Sequence, residues 1–331
     1  MTQAPAALGI YNPLPAALAH YCRELSDTFS RIGTDVFFHD AANGEVSGGS
    51  TSRLRSLGNH LRDVRISKRN TPATLCVWPL TGWWENLVWA SASSDNFVIF
   101  HDPEKLRRQF GLGGAPIFAS KLAPRALKPS IITHSGAATL SVRMQLPRAR
   151  IVEVRHPIVS QNTSTGGTDR DKQHAVVVGQ WKPARDLRLL AELGPALRKR
   201  GWRTSIFGRG WPAIAGWDVD SRFLSEDELD GVLRKASVLV LPYSFYFQSG
   251  VAIRALENGC PVVGGGTPFL TDLFGEDYSG LITDVKRSGV WLDALTAISS
   301  NPVNIEQIAD SYRQRSDQDW TNFGTDQLAE A

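Results

Sequence analysis

The feature that most constrains this chain is a rhythm that runs, stops and starts again. Short apolar runs (ALGIY, DVFFHD, ATLCVWPL, NFVIFHD, SIITHS, RIVEVRHP) alternate with stretches of helical spacing. Leu18, Tyr21, Cys22, Leu25 and Phe29, for instance, recur at three- and four-residue intervals and predict a helix over 15–32. The pattern lapses over 157–173, PIVSQNTSTGGTDRDKQ, which is polar and rich in Ser, Thr and Gly. It then resumes with AVVVGQ, a helix over 186–200, RTSIFG, VDSRFL, the helix SEDELDGVLRKA, SVLVLPY, a helix over 250–258 and PVVGG. Strands separated by helices imply parallel, doubly wound sheets. Two such series imply two Rossmann-like α/β domains, 1–156 and 174–302, joined by a linker over 157–173. A helical tail over 303–331, carrying Trp320, is expected to return to the first domain. Ser225 followed by Glu228 predicts a capping box at the start of its helix.

Ligands of doubly wound sheets gather at the carboxyl ends of the strands, so a ligand is expected in a cleft shared by the two domains. The net charge of +3 is too small to imply nucleic-acid binding by itself. The three cysteines, Cys22, Cys76 and Cys260, lack metal-ligand spacing and read as buried thiols of a reducing cytosol. No apolar run reaches the length that spans a bilayer, and MTQAPAALGIYNP lacks the charge pattern of a signal peptide.

The stretch QSGVAIRALENGCPVVGGG, after the strand SVLVLPY, predicts a helix opening at Ser249-Gly250. Such an opening aims unpaired N–H groups and a positive dipole end at whatever approaches, and Gly250 leaves the backbone bare for a diphosphate. An ordinary strand-turn-helix crossover is the alternative.

From Ala175 to Asp284 the order of elements resembles the donor-binding half of the GT-B glycosyltransferases, particularly the retaining family four. The resemblance rests on Gly179-Gln180, Gly208-Arg209-Gly210, Ser225–Leu229, Leu239–Tyr243, Ser249-Gly250 and Gly259–Val263. It implies a nucleotide-diphosphate sugar bound by Gly179, Lys182, Gly208, Arg209, Tyr246, Gln248, Ser249, Gly250, Val251 and Arg254. Arg185 falls near a family lysine and is expected to neutralise the departing diphosphate. His101, closing the strand NFVIF beside Asp102, matches a histidine that reaches the sugar. His134 and Ser135 occupy a similar strand end, and Asn12 and Asp102 would lie on the acceptor side. Where the family has two glutamates, this chain has Tyr246 and Arg254. Either the donor is recognised differently, or Arg254 contacts phosphate directly, or the chain binds without turnover.

The resemblance therefore implies sugar transfer to a hydroxyl of a glycan, a lipid-linked glycan or a small molecule. Retention without metal or other cofactor is part of that implication; the other reading is a non-catalytic sugar-nucleotide or glycan-binding partner of a transferase. No nucleic acid is expected as a partner. Six basic residues between Arg53 and Arg69, with the tryptophans of GWWENLVW nearby, suit a cytoplasmic enzyme touching the inner membrane face. A solvated helix face over core tryptophans is the alternative.

Overall fold

The computed structural model describes residues 8–15, 17–41, 50–92, 95–104, 111–122, 124–159, 170–243, 245–301 and 303–328. The chain divides into two compact units: residues 1–159 with 314–331, and residues 160–313. Most of the predicted linker lies outside the described residues.

In the first unit six parallel strands stand in the order β2-β1-β3-β4-β5-β6. They are β1 Leu8–Asn12, β2 Val36–Asp40, β3 Ala73–Cys76, β4 Asp95–Ile99, β5 Ser130–Thr133 and β6 Ile151–Glu153. The strand period of two sorts their side chains into two cores. Leu8, Ile10, Leu75, Phe97 and Ile99 face Tyr21, Leu25 and Phe29 of α1 (Ala19–Arg31), together with Trp320, Phe323 and Leu328 of the C-terminal segment. The alternate residues Tyr11, Cys76 and Val98 face the other helical layer: α2 Ser50–Asn70, α3 Glu85–Val88, α4 Gly114–Leu122 and α5 Gly136–Gln145. Trp83 and Trp89 lie fully buried in this second core. That corrects the reading that paired the GWWENLVW tryptophans with a surface: the ring of Trp83 stacks on Phe100, with centroids 4.5 Å apart.

The C-terminal helix α11 (Ile305–Phe323) carries the residues that close the first core. Asp317 receives Arg31, Asp319 receives the backbone N–H and guanidinium of Arg155, and Trp320 donates its indole N–H to the carbonyl of Arg155.

The second unit repeats the plan in the order β12-β11-β10-β7-β8-β9, again parallel throughout. Its strands are β7 His174–Val178, β8 Arg203–Phe207, β9 Asp218–Asp220, β10 Val238–Leu241, β11 Val262–Gly265 and β12 Leu281–Ile282. Its helices are α6 Leu187–Lys199, α7 Glu226–Lys235, α8 Gly250–Glu257, α9 Pro268–Phe274 and α10 Ser288–Ser300. The buried strands β7, β10 and β11 are apolar on both faces, as a sheet covered by helices on each side requires. Ser225 and Glu228 form the capping box at the start of α7. Strand order reverses at β7, whose neighbours are β8 on one side and β10 on the other. The loops after β7 and β10 therefore part and leave a crevice at their carboxyl ends.

Candidate functional site

That crevice in the second unit collects most of the residues the sequence singled out. Gly179 ends β7 with φ +93°, Gly208 ends β8 with φ +139°, and both conformations favour glycine. A Cβ on Gly208 would stand 2.4 Å from the carbonyl oxygen of Gly179, so the two loops touch backbone to backbone. From the other side a Cβ on Gly179 would lie 3.7 Å from Val251 in the first turn of α8. Two strand ends and one helix opening thus converge on a single spot.

The helix opening is well formed. Ser249 caps α8, its hydroxyl accepting from the N–H of Ala252, while its carbonyl accepts from Ala252 and Ile253. Among the described residues the N–H groups of Gly250 and Val251 have no acceptor. Gly250 is exposed, and a Cβ built there would meet nothing within 4 Å. Two donors at a positive dipole end facing open space make an anion cradle. Gln248 and Val251 are half-buried beside it.

Arg209 is exposed at the end of β8, its guanidinium 5.0 Å from the ring of Phe223, and Lys182 is half-buried in the loop after β7. Arg185 behaves differently from the expectation. It is 4% exposed, and its guanidinium donates to the carbonyls of Val178 (2.8 Å) and Gly179 (3.2 Å) and to the hydroxyl of Tyr243 (2.7 Å). Burial lowers its pKa, although the Tyr243 hydroxyl opposes that shift. In this structure Arg185 ties the β7 loop to the β10 loop, where Arg185 and Tyr243 also form a backbone bridge. Trp211 supports the same point, donating its indole N–H to the Gly179 carbonyl at 2.8 Å and placing its ring 4.9 Å from the Arg185 guanidinium.

Arg254 and Tyr246 are both buried in the second unit. Arg254 is buried and donates to Asp230 at 2.6 Å, to the Glu226 carboxylate and to the Glu226 carbonyl. Those bonds outweigh desolvation and hold the guanidinium charged, while its charge is spent on α7 rather than on a phosphate. Tyr246 turns inward, 3% exposed, and donates to the carbonyl of Gly265 at 3.3 Å. Burial raises its pKa, so it stays a phenol. Both side chains are engaged by partners within the second unit.

In the first unit Asn12 ends β1, buried, its side-chain oxygen accepting from the N–H of Leu14 at 3.0 Å. His101, His134 and His156 follow β4, β5 and β6 in turn and meet around Tyr21, with ring centroids of neighbouring pairs 5.1 Å and 5.4 Å apart. His101 donates from Nε2 to the Val77 carbonyl at 2.9 Å and stacks on Trp78. His134 donates from Nδ1 to the Val154 carbonyl, which leaves Nε2 to accept from the Tyr21 hydroxyl at 2.7 Å. Burial and the other histidines push the His134 pKa well down, and burial takes His156 to about 3. The rings of His134 and His156 are therefore neutral. Asp102 is half-buried next to this nest, and Ser135 caps α5 through the N–H of Ala138. His156 was not singled out from the sequence, and Tyr21 only as a member of an apolar helix face; the repeated signal was a histidine just beyond each of three consecutive strands.

Comparison with known proteins fits the geometry. Protein-family models and curated protein sequences yield no match. Solved structures do. Sucrose-phosphate synthase from Thermosynechococcus elongatus superposes with a TM-score of 0.64 at 11% identity, covering 98% of each chain. A glycosyltransferase from Rickettsia africae gives 0.64 at 9% identity, over 99% of this chain and 97% of that one. An alpha-glucosyltransferase solved with UDP-glucose and DNA gives 0.58 at 12% identity, over 95% and 94%. The chain has the GT-B fold. At these identities the likeness speaks of fold, and chemistry must be argued from the site.

Proposed function

We propose that this protein is a glycosyltransferase that moves a sugar from a nucleoside diphosphate donor to a hydroxyl acceptor. The observation that carries the reading is the opening of α8: two N–H donors without acceptors, at an exposed glycine with clear space above it, at the switch point of a parallel sheet. The donor's diphosphate rests on Gly250 and Val251, and Ser249 holds the turn that aims them. Arg209 and Lys182 add positive charge as the bond between sugar and phosphate breaks and negative charge collects on the leaving oxygen. Arg185 is a positioning residue: it fixes the carbonyls of Val178 and Gly179 and so the floor of the crevice. Retention of configuration, without a metal, is the mechanism that this arrangement suits. The acceptor hydroxyl attacks on the face the diphosphate leaves, and a phosphate oxygen takes its proton. UDP-glucose in one structural neighbour makes a UDP-sugar the first donor to try.

The experiment is a panel of UDP-, GDP-, ADP- and dTDP-sugars, scored for slow nucleotide release and for a rise in melting temperature. Release that falls in Arg209→Ala supports transfer. A thermal shift without release supports the second reading, a binding partner without turnover, which the loss of both family glutamates favours. No shift with any donor sinks both.

A further inference from the structure

The outer surface of the helical layer α2–α5 in the first unit carries an unusual mixture. From Gly111 to Val152 the sequence holds six lysines and arginines and not one carboxylate, in a chain whose net charge is only +3. The same layer shows most of the large apolar side chains that the described residues leave in water. On α4 the exposed face reads Phe118, Lys121, Leu122, and on α5 it reads Leu140, Arg143, Met144. Each is an apolar–cation–apolar triplet at i, i+3 and i+4, hence on one side of its helix. Phe118, Leu122, Leu140 and Met144 are 60–73% exposed. On α2, Arg62, Arg65 and Arg69 alternate with Leu61 and Ile66 along the exposed stripe and border an open groove of about 650 Å³. Arg62 leans on Asp63, and Lys68 is tied to the carbonyls of Val88 and Ala90. Arg65 and Arg69 have no ion-pair partner among the described residues.

We propose that this face docks on an anionic lipid bilayer, with lipid phosphates against Arg65 and Arg69 and the apolar members of the triplets sunk at the headgroup boundary. Cations draw the surface in over a Debye length, and apolar side chains then leave water, which is the pairing of forces that a lipid interface rewards. A nucleic-acid backbone would use the arginines and give the exposed leucines and methionine nothing. Among the described residues no helix is long and apolar enough to cross a membrane, so the contact is peripheral. The inference does not depend on which sugar, if any, is transferred.

The test is co-sedimentation of the full chain with vesicles of phosphatidylcholine alone and of phosphatidylcholine with phosphatidylglycerol. Binding should require phosphatidylglycerol and weaken with salt. Arg65→Gln with Arg69→Gln should lower partitioning roughly 30-fold, from the usual gain per cation near such a surface. Leu140→Ser with Met144→Ser should lower it at unchanged charge, and both pairs lie on the surface, so an unaltered melting temperature certifies the fold. Equal binding to both vesicles, binding to neither, duplex DNA bound in place of lipid, or a dimer that Leu140→Ser with Met144→Ser dissolves, would each overturn the proposal.

Discussion

Replacing Arg254 by alanine separates a structural arginine from a ligand-binding one. The side chain is 5% exposed and joins α8 to α7 through Asp230, itself 20% exposed, and Glu226, 44% exposed. Removing one partner from a buried pair costs about 3–5 kcal/mol, because the stranded charge stays out of water. Glu226 can rehydrate, so its share is discounted, leaving a loss of about 3 kcal/mol. In a unit of this size that lowers the melting temperature by roughly 6–12 °C. Calorimetry reads the loss, and a cycle with Asp230→Ala should return a coupling of about 2 kcal/mol. Nucleotide titration of the folded variant should give an unchanged affinity. A tenfold weaker nucleotide with an unmoved melting temperature would refute the assignment and put the guanidinium back on the phosphates.

Gly250→Val adds atoms to open space, so stability should hold within about 0.5 kcal/mol, while nucleotide diphosphate affinity falls at least tenfold, or about 1.4 kcal/mol, in the same titration. Gly208→Ala forces a Cβ against the Gly179 carbonyl at φ +139° and should cost about 3 kcal/mol or more, read by denaturant unfolding. His134 and His156 are held neutral in the folded first unit, with pKa values below the unfolded 6.5, so unfolding takes up protons as the medium acidifies. Their stabilisation is complete above pH ~6.5 and drains as pH falls toward their folded values, at up to about 2.7 kcal/mol per pH unit for the pair. Unfolding curves between pH 7 and 5, compared with His156→Phe, should show that variant shallower by about one proton; equal slopes would count against it.

The alternation of apolar runs made the strands legible, and Ser225 and Ser249 announced their helices because a cap is a local affair. Where Arg254 points was not legible, since its carboxylate partners lie 24 and 28 residues upstream on another helix. The same limit hid the nest of Tyr21, His101, His134 and His156, assembled from four separate elements. Tryptophans near arginines in sequence suggested one surface, yet Trp83 and Trp89 point into the core while Arg62 and Arg65 point out, because neighbouring elements share no common outside. The glycines at 179, 208 and 250 were legible as a set because each marks a place where something must come close.

Trp320, Phe323 and Leu328 complete the first core from the far end of the chain. A ribosome making this protein therefore emits all of the second unit before the first can seal. The early strands must wait, their apolar face uncovered, until residues 320–328 have emerged, and a chain released before Trp320 would keep that part of the face bare.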